Sequence, residues 1–88
     1  MEVEFLDKFN KDLDKISLKS VKNNLAKLIV SVESAKSINE IHQTKKLKGH
    51  KSAYRVRITD YRVGVFVEGN KVTFARFVHR KDIYDVFP

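Results

Sequence analysis

No cysteine occurs among the 88 residues, so neither a disulfide framework nor a thiolate metal site can form. The three histidines, His42, His50 and His79, are too scattered to make a zinc pattern. Tryptophan is absent, glycine occurs three times and proline once. With 42% hydrophobic residues and so few chain breakers, the sequence does not read as disordered, although 33% of it is charged. The uninterrupted apolar run Leu28-Ile29-Val30 is far too short for a membrane span. The N-terminus lacks the basic-then-apolar layout of a secretory signal. A soluble cytoplasmic protein with no metal and no cofactor is the expectation. The length suits one core, hence a single domain over residues 1–88.

Charge is present but unevenly placed. Residues 1–43 balance seven lysines against seven acidic residues. Residues 44–88 carry eleven Lys and Arg against four acidic residues, which accounts for the entire net charge of +7. All five arginines, Arg55, Arg57, Arg62, Arg76 and Arg80, lie in this second half. The guanidinium is a planar fork that can grip a phosphate bidentately, which an ammonium cannot. Segregated arginine in a basic half points to a polyanion; the bland alternative is a merely soluble basic protein.

Hydrophobic periodicity divides the chain in the same place. Val3 and Phe5 alternate with Glu2 and Glu4, a short strand. Asp7 is placed to cap a helix whose stripe is Phe9, Leu13 and Ile16. Ser17 or Ser20 can start a second helix, with the stripe Leu18, Val21, Leu25, Leu28, Ile29 and Val32, ending near Ser34–Lys36. Ile38 and Ile41 fit one more short turn. After Gly49 the period becomes two. Tyr54, Val56 and Ile58 alternate with Arg55 and Arg57. Tyr61, Val63, Val65 and Val67 alternate with Arg62, Gly64 and Phe66. Gly69-Asn70 suits a hairpin turn before a strand from Val72 to His79. A further strand around Lys46–Lys48 is possible.

The fold class is therefore α+β: an N-terminal strand and a two-helix hairpin packed on one face of an antiparallel sheet. Burying the valine parity against the helices leaves Arg55, Arg57 and Arg62 together on the opposite face, open to water. Arg76 and Arg80 join them if the last strand keeps a simple alternation; a bulge would invert part of it. Such a face, with the Phe66 ring on it, suits a phosphate chain whose bases stack.

Leu47-Lys48-Gly49, Tyr54-Arg55-Val56-Arg57-Ile58, Asp60-Tyr61-Arg62-Val63 and His79-Arg80-Lys81-Asp82-Ile83-Tyr84 follow one another in order. This succession resembles the RelE/ParE superfamily of toxins from type II toxin–antitoxin systems, and the strand and helix pair before it match the family's layout. The family contains ribosome-dependent mRNA endoribonucleases on its RelE side and gyrase inhibitors on its ParE side. The His-Arg-Lys-Asp-Ile-Tyr ending looks more like the RelE side. The resemblance implies a translation-inhibiting mRNA interferase that works with the ribosome and mRNA, and a cognate antitoxin with an acidic binding segment. The alternatives it leaves are a gyrase inhibitor without catalysis and an inactive relative acting as a binding module.

Such RNA cleavage needs the 2′-OH to lose its proton, the attacked phosphate to be stabilised and the 5′ oxygen to be protonated. Arg62 and Arg80 match the family's phosphate-binding arginines, and Tyr84 matches a tyrosine that stacks on or orients the substrate. Arg55, Arg57, Lys46 and Lys48 are expected to bind the substrate. The chain departs from the best-known RelE pattern at Arg55 and Arg57, where that pattern has lysines, one of them the proposed base. An arginine with its pKa above about 12 cannot take that role. His79, with an ordinary histidine pKa of about 6.5, is the natural titrating candidate. Lys45, Lys46, Lys48 and Lys51 are others, and the base stays open. The structural readings stand beside these: Arg80 pairing with Asp82 or Asp85, Arg62 with Asp60 or Glu68, His79 bonding Asp82, and Tyr84 packing beside Phe87.

Overall fold

The alternation of Val3 and Phe5 with two glutamates produces strand β1 (Glu2–Phe5) in the computed structural model, which describes residues 1–88. Helices α1 (Asp7–Asp14) and α2 (Lys19–Ser34) come next. One 3-10 turn (Ile38–Glu40) leads to the short strand β2 (Thr44–Lys46). Strands β3 (Ala53–Ile58), β4 (Tyr61–Glu68) and β5 (Lys71–His79) form the predicted meander, and a four-residue helix α3 (Ile83–Val86) closes the chain. No helix is long and apolar enough to cross a membrane.

The five strands lie in the order β1-β5-β4-β3-β2. Neighbours from β2 to β5 pair antiparallel, while β1 joins the edge of β5 in parallel. A parallel pair needs a crossover between its strands, and the helix pair lies within that connection. The sheet is thus mixed at one edge. The possible strand at Lys46–Lys48 is real but two residues earlier.

The expected helix caps are not used. Leu6 precedes α1 and Leu18 precedes α2; Asp7 is already helical, and neither helix has a side-chain cap bond. Tertiary packing stabilises these helices in place of capping. Phe9, Ile16, Val21, Leu25 and Val32 bury themselves against Val56, Val63, Val65, Val72, Phe74 and Phe77. Leu18 departs from its predicted stripe and is 57% exposed, because it lies ahead of the first helical turn.

Strand β5 carries the bulge on which its parity depended. Phe74 pairs with Val65 and Arg76 with Gly64, so Ala75 is the extra residue. Val72, Phe74 and Phe77 consequently all reach the main core, across a change of parity. Beyond Phe74 the edge of β5 has no strand beside it, since β1 ends at Phe5. Asp12 of α1 serves that edge instead. Its carboxylate accepts from the Phe77 N–H at 2.9 Å and from Arg76 Nε and Nη2 at 2.8 and 3.0 Å. Arg76 therefore belongs to a structural ion pair and does not join the other arginines.

The second face of the sheet was expected to be wet throughout, and it is not. Ala53 and Ala75 accept Ile83 and Phe87 from the C-terminal segment as a second apolar cluster, with Leu47, Phe66, Val78 and Val86 packed around it. Gly64 makes this docking possible: a Cβ there would sit 2.5 Å from the Phe87 ring. Phe66, expected to offer a free ring, instead packs against Phe87 with 5.1 Å between centroids.

Candidate functional site

Cross-strand register assembles the basic groups. Arg55 pairs with Lys45 of β2 on one side and with Gly64 on the other, while Arg57 faces Arg62. Paired residues share a face, so Lys45, Arg55, Arg57 and Arg62 project from the side away from the helices. Helix α3 then carries Tyr84 over that side. The Arg55 guanidinium lies 4.5 Å from the Tyr84 ring centroid, a cation–π contact. Gln43, Lys45, Arg55, Arg57, Arg62 and Tyr84 line one cleft of about 230 Å³ that contains no carboxylate.

The turn between β3 and β4 fixes Arg62. Its Nη1 donates to the carbonyls of Thr59 at 3.0 Å and Tyr61 at 2.9 Å. Thr59 occupies the first position of that two-residue turn with φ of 50°, a conformation costly for a β-branched side chain. The strain aims a backbone acceptor at the guanidinium. Burial lowers the pKa of Arg62 from its ordinary value, and the charges of Arg57, Arg80 and Arg55 lower it further. Tyr84 acts in the opposite direction and raises it.

Tyr84 feels the same cations, which lower its pKa as well but in a phenol favour the charged form. Arg55 lowers the phenol pKa from its ordinary value, first as a hydrogen-bond donor to the ionised oxygen and then by its charge; Lys45 and Arg62 add to this. Tyr84 is nevertheless 74% exposed, presented to solvent rather than packed in the core beside Phe87.

The remaining candidates fall elsewhere. Arg80 stands at the rim near Arg62, exposed, with Asp60 4.0 Å away. His79 is not in the cleft. It pairs with Tyr61, whose ring it meets edge-on at 5.5 Å on the helix side of the sheet, and its Nδ1 accepts from the Lys81 N–H. The bulge at Ala75 leaves His79 on the same parity as Phe77, opposite to Arg62. Lys46 pairs with Tyr54, one position out of step with Arg55, and lines a separate hollow with it. Lys48 lies in the loop around Gly49, beyond the strand. The cleft-facing lysine is Lys45; the pairing register selects it, and composition alone could not.

The sequence profile of the ParE toxin of type II toxin-antitoxin system, parDE, matches residues 3–84 of this chain. Toxin RelE3 of Methanocaldococcus jannaschii is 36% identical over the full length of both chains. Among solved structures, a chain of the RelB–RelE antitoxin–toxin complex from Methanococcus jannaschii superimposes with a TM-score of 0.83 at 34% identity, covering 97% of this chain and 99% of that one. A chain of the intact Escherichia coli RelBE toxin–antitoxin complex shares the fold at a TM-score of 0.70 and 21% identity, covering 89% of this chain and 94% of that one. A profile spanning nearly the whole sequence and a full-length relative agree with the strand order and the helix pair: the chain belongs to the RelE/ParE superfamily of type II toxin–antitoxin toxins.

Proposed function

We propose that this protein is the toxin of a toxin–antitoxin pair and inhibits translation by cutting mRNA at the ribosome. The observation that carries this reading is the convergence of Arg55, Arg57, Arg62, Lys45 and Tyr84 on one carboxylate-free cleft. In the proposed reaction a ribose 2′ oxygen attacks the adjacent phosphorus and the bond to the 5′ oxygen breaks. A 2′,3′-cyclic phosphate and a free 5′-OH remain. Negative charge on the phosphate grows on the way to the transition state, and fixed guanidiniums stabilise that charge more than the starting diester. Arg62, held by two backbone carbonyls, and Arg55 suit this task. Arg80, exposed at the rim beside Asp60, is outside the cleft lining and can meet the substrate from there.

Tyr84 and Lys45 are the cleft groups able to exchange a proton. A phenol made more acidic by neighbouring cations can take the 2′ proton as phenolate, and the Lys45 ammonium can give the departing 5′ oxygen its proton. The cleft is small, about 230 Å³, which fits a catalyst that relies on the ribosome to bend and present the mRNA. His79 lies on the other side of the sheet and has no role in this scheme.

A cognate antitoxin follows from family membership and from the complexes formed by the relatives. The cleft calls for a partner segment that brings carboxylates to the arginines, so that inhibitor and substrate compete for one surface. The test is primer extension on a reporter mRNA in a translation extract. Wild-type protein should produce discrete cuts, Arg62→Ala should abolish them, and naked mRNA should stay intact. The matching profile carries the ParE name, but the full-length relative and the complexes carry the RelE name, so the gyrase-inhibitor alternative is not favoured. That reading requires DNA breaks and an SOS response with no mRNA cuts.

A further inference from the structure

Beside the cleft runs a larger groove, of about 490 Å³, between α2 and the β2–β3 side of the sheet. Lys27 and Asn24 stand on its helical wall, and Gln43 and Arg57 on its strand wall. Half-buried Leu28, with Val56 and Ile58, supplies an apolar floor. No carboxylate lines it. Gln43 and Arg57 also line the arginine cleft, so the two spaces meet at these residues. The two non-glycine residues with positive φ, Gln43 at 61° and Thr59 at 50°, both border this groove. Backbone held in that region is costly and persists where the surroundings enforce it. Here the Gln43 carbonyl is fixed by the Arg57 N–H at 3.1 Å, leaving the side-chain amide at the junction.

Resting on the nuclease reading, we propose that this groove is a further nucleotide subsite, which takes the nucleotide next to the pair that flanks the scissile phosphate and selects its base through Gln43. The cleft, at about 230 Å³, is below the roughly 300 Å³ of small ligand pockets and suits a phosphate with its ribose. The groove is twice as large and has what a base needs: an apolar surface for its face, and amides from Gln43 and Asn24 that can both donate and accept at its edge. Lys27 on the helical wall gives a phosphate entering the groove a cation to meet, while the Arg57 side chain serves the adjoining cleft. An acidic peptide would also be drawn to these charges, but the amides and the continuity with the cleft favour a polynucleotide that runs through both.

Fluorescence anisotropy with labelled RNA tests this on the isolated protein. An RNA hexanucleotide should bind at least about fivefold more tightly than a dinucleotide, the scale of one further hydrogen-bonded contact. Lys27→Glu, a change at an exposed helical position, should remove most of that advantage and leave dinucleotide binding unchanged. It should also reduce the salt dependence by about one single-strand phosphate contact. Gln43→Gly keeps the positive φ and removes the amide; it should change the ranking of hexanucleotides that differ at one base by about fivefold or more. Equal affinity for short and long RNA, or a hexanucleotide preference indifferent to both substitutions, would overturn the proposal. So would Lys27→Glu weakening an acidic peptide alone. Wild-type protein that discriminates these oligonucleotides but cuts no mRNA in the extract would overturn the nuclease reading and retain the subsite.

Discussion

Asp12 and Arg76 grip each other through paired bonds of 2.8 and 3.0 Å, and the same carboxylate holds the Phe77 N–H. A helix thereby finishes a sheet edge that the short first strand leaves incomplete. Asp12 raises the pKa of Arg76, through the hydrogen bond first and then by its charge. The Asp12 side chain is nearly fully buried, and Arg76 is its neutralising partner.

Asp12→Asn should lower stability by about 2–4 kcal/mol, because it leaves a largely buried guanidinium without its counter-charge. The corresponding fall in Tm is roughly 10–20 °C for a domain of this size, measurable by circular dichroism. Replacing both partners with apolar residues, Asp12→Leu with Arg76→Met, should recover part of the loss. An Asp12→Asn variant as stable as wild type would show that the edge bonds are dispensable.

Gly64→Ala should act on the site from a distance. The new methyl group meets the Phe87 ring at 2.5 Å, so the C-terminal segment must move. The expected stability cost is about 1–3 kcal/mol. Tyr84 rides on the same segment, so mRNA cutting should fall more than the folded fraction does. Cleavage normalised to folded protein reads this; proportional losses would count against the coupling.

Tyr84 should titrate below the ordinary tyrosine value of about 10. Arg55 favours the phenolate, so Arg55→Ala should move this titration upward. Ultraviolet absorbance of phenolate, with Tyr84→Phe as the subtraction, resolves it from Tyr54 and Tyr61. Because the folded pKa is depressed, the associated stabilisation is fully present above the unfolded-state value and is lost as pH falls through the folded one. If the phenolate removes the 2′ proton, cleavage rises with pH up to the same lowered value, and Tyr84→Phe loses that limb.

Arg62→Lys should cut far less mRNA than wild type, by roughly 10-fold or more, although the charge is kept. A lysine ammonium cannot donate to the Thr59 and Tyr61 carbonyls and to a phosphate in the fork geometry of a guanidinium. Full activity of this variant would mean that charge alone suffices at this position. Thermal melts of the two proteins separate a catalytic loss from a folding one.

Much of the fold was legible from periodicity. The stripe from Val21 to Val32 and the two-residue alternation from Tyr54 to Val67 are local repeats that state their own burial, and they put Arg55 and Arg62 on one face before any coordinates. The third strand was not legible, because a bulge at Ala75 depends on how Phe74 and Phe77 fit the core, and no local pattern marks it. That single extra residue brings Phe74 onto the core side with Phe77, while His79 keeps the parity of Phe77. Lys45 rather than Lys46 faces the cleft for a similar reason: within a run of lysines, only pairing with Arg55 chooses the parity.

What the sequence determined alone was the class of the fold, the segregation of every arginine into the second half of the chain and the ordered motifs of the family, since these reside in composition, period and succession. The tertiary structure decided which groups meet. Gly64 gives room to Phe87, the C-terminal turn swings Tyr84 over Arg55, and Asp12 takes Arg76 out of the basic set. These are contacts between residues distant in the chain, set by close packing and by the need of each buried polar group for a partner, and neither requirement is written in any local stretch of residues.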